Sequence, residues 1–319
     1  MKIVVTGGAG FIGRNLVKKL LSDGDQVTVI DNFSTGTMKN LSNLQNVNIV
    51  NADLRDAQSY KKALLGAEIL YHLAANADVR DGFLHPQKDI EENILVTSIL
   101  MEAVVEANIP NVVFASTAAC LGEPNIFPTP ESLEFPKQTS LYGMSKAACE
   151  GILSAYVEKY QLNVAVFRFV SVVGPYYSHG HVFDFVKKLR ENPNKLEILG
   201  DGSQRKSYLH INDIIAGLQT VSEQLLSWQR GTYEVYHIGN SNYCTVNQSA
   251  TWISEAIGLS PDFEYTGGNR GWVGDSPFVF LSTEKLQKLG WQPRLDLEQA
   301  IKFTAKWLLS NAWILDARK

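Results

Sequence analysis

The stretch MKIVVTGGAGFIG (residues 1–13), followed by QVTVID (residues 26–31), decides the fold of this 319-residue chain. An apolar run over residues 3–6 leads into Gly7, Gly10 and Gly13, with a helical pattern opening at Gly10, and a second apolar run over 26–30 ends on Asp31. Strand, glycine turn, helix, strand and terminal acid is the arrangement a dinucleotide requires. Its pyrophosphate sits on a helix N-terminus, close to backbone N–H groups that side chains would otherwise block. Gly7 then permits the tight turn, Gly10 lets the backbone approach the phosphates, and Gly13 lets the helix pack close to the strand. Asp31, about twenty residues on, can accept both hydroxyls of an adenosine ribose and would repel a 2′-phosphate, which favours NAD over NADP.

The bulk properties agree with a globular enzyme of two lobes. Hydrophobic residues make up 45% and charged residues 19% of the chain, and the net charge is −4, with no basic stripe that would suit nucleic acid or an anionic membrane. No apolar run reaches the length of a membrane span, and the start of the first strand at Lys2 predicts no signal peptide, so a cytoplasmic protein is expected. Cys120, Cys149 and Cys244 have no ligand spacing and form no even set, which makes them small reduced core or helix residues.

Short β-rich runs alternate with helical stretches through the first two thirds of the chain. Strands are predicted at 3–6, 26–30, 47–51, 69–73, 111–116 and 164–170, each apolar on both faces, with helices opening at Gly10, Ala57, Asp89 and Tyr142. This alternation predicts an α/β fold, a doubly wound parallel sheet whose ligands sit at the carboxyl ends of the strands. After Pro175 the texture turns to loops and short helices, while a run at 234–238 reads as one more strand of the sheet. The expected division is 1–174 with 207–241 for the dinucleotide domain, and 175–206 with 242–319 for a smaller mixed α/β substrate-binding lobe. The helix over 89–108 carries two apolar stripes, and Ala147, Ala148, Cys149 and Gly151 leave small surface on the helix from Tyr142. A partner subunit or the second lobe would cover them, so a homodimer is an open expectation.

The catalytic signal is Tyr142 and Lys146, four apart on one helix face. Free tyrosine, with a pKa near 10, is a poor base at neutral pH. A neighbouring ammonium and the positive nicotinamide ring together would stabilise its phenolate. Ser116 and Thr117 end the predicted fifth strand, where a hydroxyl can hold a reacting sugar oxygen and polarise Tyr142.

Taken together, Gly7, Gly10, Gly13, Asp31, Thr117, Tyr142 and Lys146 resemble the extended short-chain dehydrogenase/reductase family, in its nucleotide-sugar epimerase/dehydratase branch. The resemblance spans nearly the whole chain, including Asn93, the segment 168–175 and Gly200-Asp-Gly-Ser-Gln204. It implies that Phe11 and Ile12 flank the glycine turn, that Asp31, Asn32 and Ser34 hold the adenosine ribose, and that Asp53 and Leu54 meet the adenine. Ala74, Ala75, Asn93 and Ser116 would line the rest of the dinucleotide path. Thr117, Tyr142 and Lys146 take the catalytic positions. Ser171, Phe183, Lys206, Arg270 and Asp275 fall where the family holds its nucleotide sugar. Dehydratases of this branch resemble one another in an Asp-Glu pair after the catalytic hydroxyl, and this chain has Ala118-Ala119, which transfer no protons. The resemblance therefore implies an NAD-dependent epimerase acting at C4 of a UDP-hexose. Its rivals are an epimerase at another carbon, a dehydrogenase, a 4,6-dehydratase and, more remotely, a non-catalytic NAD-binding regulator.

Leu121, Ser171, Lys206 and the early Arg270 depart from the branch's usual residues, which bears on the sugar and not on the hydride chemistry. His179 and His181 lack the acids or thiols that would complete a metal site, so no metal is expected. His72 reads as a core histidine, Trp272 and Trp291 as packing, and Phe183 as a candidate for stacking on a base.

Overall fold

The computed structural model describes residues 1–79, 81–133, 136–271, 275–276 and 278–317. The chain forms two compact units, the first made of 1–122, 133–169 and 215–237, the second of 123–132, 170–214 and 238–319.

In the first unit, β1 (Lys2–Thr6), β2 (Gln26–Asp31), β3 (Val47–Asn51), β4 (Ile69–His72), β5 (Asn111–Thr117), β6 (Asn163–Phe169) and β7 (Tyr233–Ile238) form one sheet in the order β7-β6-β5-β4-β1-β2-β3. β1 through β6 pair in parallel. The order reverses beside β1, between β1 and β4, so the loops leaving these two strands diverge and open a crevice at their carboxyl ends. Helices α1 (Phe11–Ser22), α2 (Ala57–Leu64), α3 (Val96–Glu106) and α4 (Leu141–Tyr160) connect the strands. Buried Val4, Leu70, Phe114 and Val166 of the sheet pack in one core with Leu100 and Val104 of α3 and with Leu153 and Val157 of α4.

Three elements differ from expectation. β3 is covered only in part, with Val47, Ile49 and Val50 half-buried and Asn48 and Asn51 exposed, instead of apolar on both faces, because it is the edge strand. The helix expected over 89–108 is interrupted: residues Ile90–Leu95 form a π-helical turn before α3 begins. Gly151 of α4 faces open space, so no close helix approach within the chain is made there, while Cys149 is fully buried.

The second unit carries the parallel pairs Ser171–Val173 with Tyr208–His210 and Asp262–Tyr265 with Lys195–Ile198, and the helices α5 (His181–Glu191), Val246–Ala256 and Leu297–Ser310. The expected division is corrected here. Residues 170–174, 207–214, 238–241 and 123–132 group with the second unit. The reason is local: β6 stops at Phe169, and Ser171–Val173 pairs with Tyr208–His210 instead of extending the seven-stranded sheet.

Candidate active site

The glycine turn is built by backbone contact. Gly7 has φ +70°, its N–H donates to the Ile30 carbonyl at 2.9 Å, and a Cβ on it would stand 2.7 Å from the backbone nitrogen of Ala74. This holds β1 against the segment after β4, at the point where the strand order reverses. A Cβ on Gly13 would lie 2.2 Å from the Gly7 carbonyl oxygen, so α1 rests directly on the turn. Gly10 is different. It is the N-cap of α1 and supplies no side-chain cap, and a Cβ there would meet only the Gly7 carbonyl, at 3.2 Å, among the described residues. The first turn of α1, with Phe11 buried and Ile12 half-buried, is thus left bare of capping side chains on an open side, as an anion requires.

Asp31, buried at the end of β2, accepts the Ala9 N–H (2.9 Å) on Oδ2 and the Phe33 N–H (2.8 Å) on Oδ1. Burial raises its pKa, and these two amides pull the other way. One lone pair on each oxygen stays available. Asn32 and Ser34 are exposed, and the Ser34 N–H donates to Asn32 Oδ1 at 3.0 Å. Asp53 takes a forked pair from Arg55 (3.0 and 2.7 Å), whose hydrogen bonds hold its carboxyl at about 2. Leu54 is buried, with its carbonyl accepting the Tyr60 hydroxyl at 3.1 Å. Ala74 and Ala75 are half-buried, and the Ala74 N–H donates to Thr6 Oγ1 at 3.4 Å. His72 bonds Thr6 Oγ1 through Nδ1 (2.8 Å) and Thr97 Oγ1 through Nε2 (3.1 Å), a satisfied core histidine.

Ser140 caps α4 by accepting the Gly143 N–H at 3.0 Å, which fixes the first turn and with it Tyr142. The Thr117 side chain stands by the Tyr142 hydroxyl, close enough to act on its pKa. Thr117 Oγ1 already accepts the Ala119 N–H (3.1 Å), which keeps its O–H available to donate to a phenolate. Burial pushes the Tyr142 hydroxyl well above its ordinary value, and Thr117 opposes that. Burial therefore favours the protonated form of Tyr142 in the protein without its cofactor. Lys146 is 3% exposed, its ammonium lies 4.1 Å from the Phe114 ring centroid, and it has no hydrogen-bond acceptor or ion-pair partner among the described residues. Burial lowers its pKa.

Two expected lining residues point elsewhere. Ser116 Oγ donates to Glu150 Oε1 at 2.5 Å inside the core, so its side chain does not join Thr117 at the strand end. Asn93, in the π-helical turn, accepts the Asn76 N–H (2.8 Å) and donates to Ser145 Oγ (2.8 Å), which commits its amide to bracing the segment after β4 against α4. Sequence reasoning missed this bracing group, Asn76, Asp89 and Ser145, and it missed Glu150. For Glu150 the signal was present, since it extends the Tyr142, Lys146 spacing by one more turn.

In the second unit, Lys206, Arg270 and Asp275 come together. Lys206 Nζ lies 2.6 Å from Asp275 Oδ1, Asp275 Oδ2 accepts the Gly271 N–H at 3.0 Å, and Arg270 Nη1 donates to the Asp275 carbonyl at 2.8 Å. Arg270 also makes a forked pair with Glu123, Nη2 to Oε2 at 3.0 Å, a partner the sequence did not suggest. Ser171 is exposed on its short strand. Phe183 is 4% exposed on the packed face of α5, which corrects the stacking expectation: the ring is core. His181 bonds Ser249 Oγ at 2.6 Å, His179 stacks on Tyr177, and no metal-binding cluster exists among the described residues. Trp291 donates to the Asp213 carbonyl at 2.9 Å, while Trp272 lies outside the described residues. No helix is long and apolar enough to cross a membrane among the described residues.

Residues 3–239 match the family model described as the NAD dependent epimerase/dehydratase family. The chain belongs to that family. Over 97% of its length it is 31% identical to a putative UDP-glucose 4-epimerase of Methanocaldococcus jannaschii, covering 99% of that protein. Over the same share it is 30% identical to the dTDP-D-glucose 4,6-dehydratase of Mus musculus, covering 89% of that one. Among solved structures, a UDP-galactose 4-epimerase superposes with a TM-score of 0.89 at 34% identity, over 98% of this chain and 100% of that one.

The residues fit the family's cofactor. Three features carry that fit: the open face of Gly10 at an uncapped helix N-terminus, Asp31 at the end of β2 with lone pairs to spare, and a buried ammonium at Lys146 with no acceptor of its own. Between them they would take pyrophosphate, adenosine ribose and nicotinamide ribose. A hydroxyl pair such as Thr117 and Tyr142 has the chemistry to move one proton.

Proposed function

We propose that this protein is an NAD-dependent 4-epimerase of a UDP-hexose. Bound NAD supplies a hydride acceptor and donor at C4 of the sugar. Tyr142 takes the proton of the C4 hydroxyl as hydride leaves and returns it when hydride comes back to the other face of the rotated 4-keto sugar. Thr117 donates to the reacting oxygen, and Lys146 places a positive charge beneath the pair. The observation that carries this reading is the placing of Thr117 by Tyr142, followed at once by Ala118 and Ala119. The reading makes Tyr142 the base for oxidation, and neither residue that follows Thr117 carries the carboxyl that elimination of water would need. The relatives named as UDP-glucose and UDP-galactose 4-epimerases support the same chemistry.

The reading assigns diphosphate to Lys206 and Arg270, steered by Asp275, and the nucleotide sugar to the second unit. It includes a homodimer, supported by the exposed Ile90 and Leu95 of the π-helical turn, and a cytoplasmic location, supported by three free, buried cysteines. The test is incubation of the purified protein with UDP-glucose or UDP-galactose without added NAD, followed by proton NMR of the anomeric region. Interconversion is expected. No interconversion with these sugars, or with their N-acetyl and uronic acid analogues, with NAD added, overturns the reading. Formation of a stable 4-keto-6-deoxy sugar would replace it with dehydration.

A further inference from the structure

Behind the catalytic pair lies a buried polar cluster that the chemistry above does not use. Glu150 follows Lys146 by one helical turn and is 7% exposed. Its Oε1 accepts Ser116 Oγ (2.5 Å) and Arg168 Nε (3.0 Å), and its Oε2 accepts Arg168 Nη2 (2.7 Å). Cys120 Sγ stands 3.6 Å from Oε1, and Arg168 Nη1 stands 3.4 Å from His237 Nε2. One carboxylate thus ties α4 to the end of β5, to the short helix Ala118–Leu121 and to β6, with β7 joined through Arg168.

The partners flank the catalytic hydroxyl in sequence. Ser116 precedes Thr117 and Cys120 follows it by three residues, so both sides of the Thr117 backbone are fastened to the helix that carries Tyr142. Eight residues of α4 separate Tyr142 from Glu150, about 12 Å along the axis. β5 is therefore held to α4 at two separated points, and the second sets the angle at which Thr117 meets Tyr142. A buried ion pair contributes little net stability against apolar packing of the same shape, so its use here is sought in geometry.

We propose that Glu150, clamped by Arg168, is a positioning residue that sets how Thr117 is presented to Tyr142. It acts by accepting Ser116 and never touches substrate. The kinetic arm of the test rests on the epimerase reading; the structural arm does not.

The test compares wild type with Ser116→Ala, which removes one hydroxyl and leaves the ion pair, and with Glu150→Leu/Arg168→Met, which removes acceptor and charges together and so leaves no unpaired charge in the core. Both are expected to retain NAD and to leave KM within about twofold, while kcat falls by about ten- to a hundredfold, the cost of a misplaced reacting group. The ascending limb of kcat against pH should move to higher pH. Crystal structures of both variants should show Thr117 Oγ1 shifted away from Tyr142 Oη relative to wild type. Glu150→Gln/Arg168→Gln restores a neutral acceptor for Ser116 and should recover most of kcat. Wild-type kcat, pH profile and Thr117–Tyr142 separation in Ser116→Ala would overturn the proposal. Should wild type turn over no UDP-sugar at all, the epimerase reading fails, and the crystallographic separation still decides this one.

Discussion

At Tyr142 two demands conflict. The hydroxyl must be shielded from water to exchange a proton only with the sugar, and that burial raises its pKa. In the proposed reaction Thr117 opposes that rise, and the ammonium of Lys146 with the cationic ring of the cofactor would supply the remaining stabilisation. Tyr142→Phe should lower kcat by about 10²- to 10⁴-fold with bound NAD retained, measured by NMR interconversion and by nucleotide released on denaturation. At this scale the sequence was legible wherever a residue's role is set by its neighbours in the chain: the three glycines, Asp31, and the Tyr142 and Lys146 spacing. It was opaque where a role is set across the fold. Ser116 and Thr117 are adjacent, and only the packing of α4 shows that one faces Glu150 and the other Tyr142. Arg270 reads as a free cation until Glu123, 147 residues away, is found in its fork.

At the level of elements, the site depends on how α1 and α4 begin. Gly13→Ala would drive a methyl into the Gly7 carbonyl at 2.2 Å and lever α1 off the turn. A loss of about 1–3 kcal/mol in stability is expected, with a marked drop in co-purified NAD, checked by urea denaturation and nucleotide content. Ser140→Ala removes the cap on the turn that carries Tyr142 and should cost about 1 kcal/mol, read as a fall in the urea midpoint, with kcat declining as the first turn of α4 frays. All seven strands of the sheet were legible as short apolar runs, plainest in the inner strands covered on both faces and weakest in the partly covered edge strand β3. The π-helical turn was not, because its widening answers the tertiary bonds of Asn93 to Asn76 and Ser145 instead of any local propensity.

Across the whole molecule, buried titratable groups set the response to acid. Burial, aided by nearby Lys146 and Lys206 respectively, holds His72 and His181 at about 3, against an ordinary value near 6.5. As pH falls below 6.5 the unfolded chain binds protons at both positions and the native chain does not. Stability is therefore fully present above 6.5 and declines as pH drops toward 3, each histidine contributing up to about 1.4 kcal/mol per pH unit in that window. The urea midpoint should be lower at pH 5 than at pH 7.5, and His72→Asn should remove part of that difference, the rest staying with His181 and His210, whose pKa burial also lowers. The outline of two units was visible in the change of texture after Pro175, whereas the excursion of 123–132 into the second unit was not, because its pairing of Thr129 with Phe280 and Leu281 joins distant segments.

The half-buried strand β3 has a consequence for the behaviour of the protein in concentrated solution. It leaves one margin of the sheet with unsatisfied main-chain groups, a template on which another chain could add a strand. Asn48 and Asn51 stand exposed along it, and the Asn48 amide is turned back onto Thr28 Oγ1 at 3.3 Å. Two poorly β-forming polar side chains on a short strand make that margin a poor surface for ribbon growth. The margin of the sheet farthest in strand order from β7 is thus kept from adding strands by Asn48 and Asn51, residues given no part in the proposed chemistry.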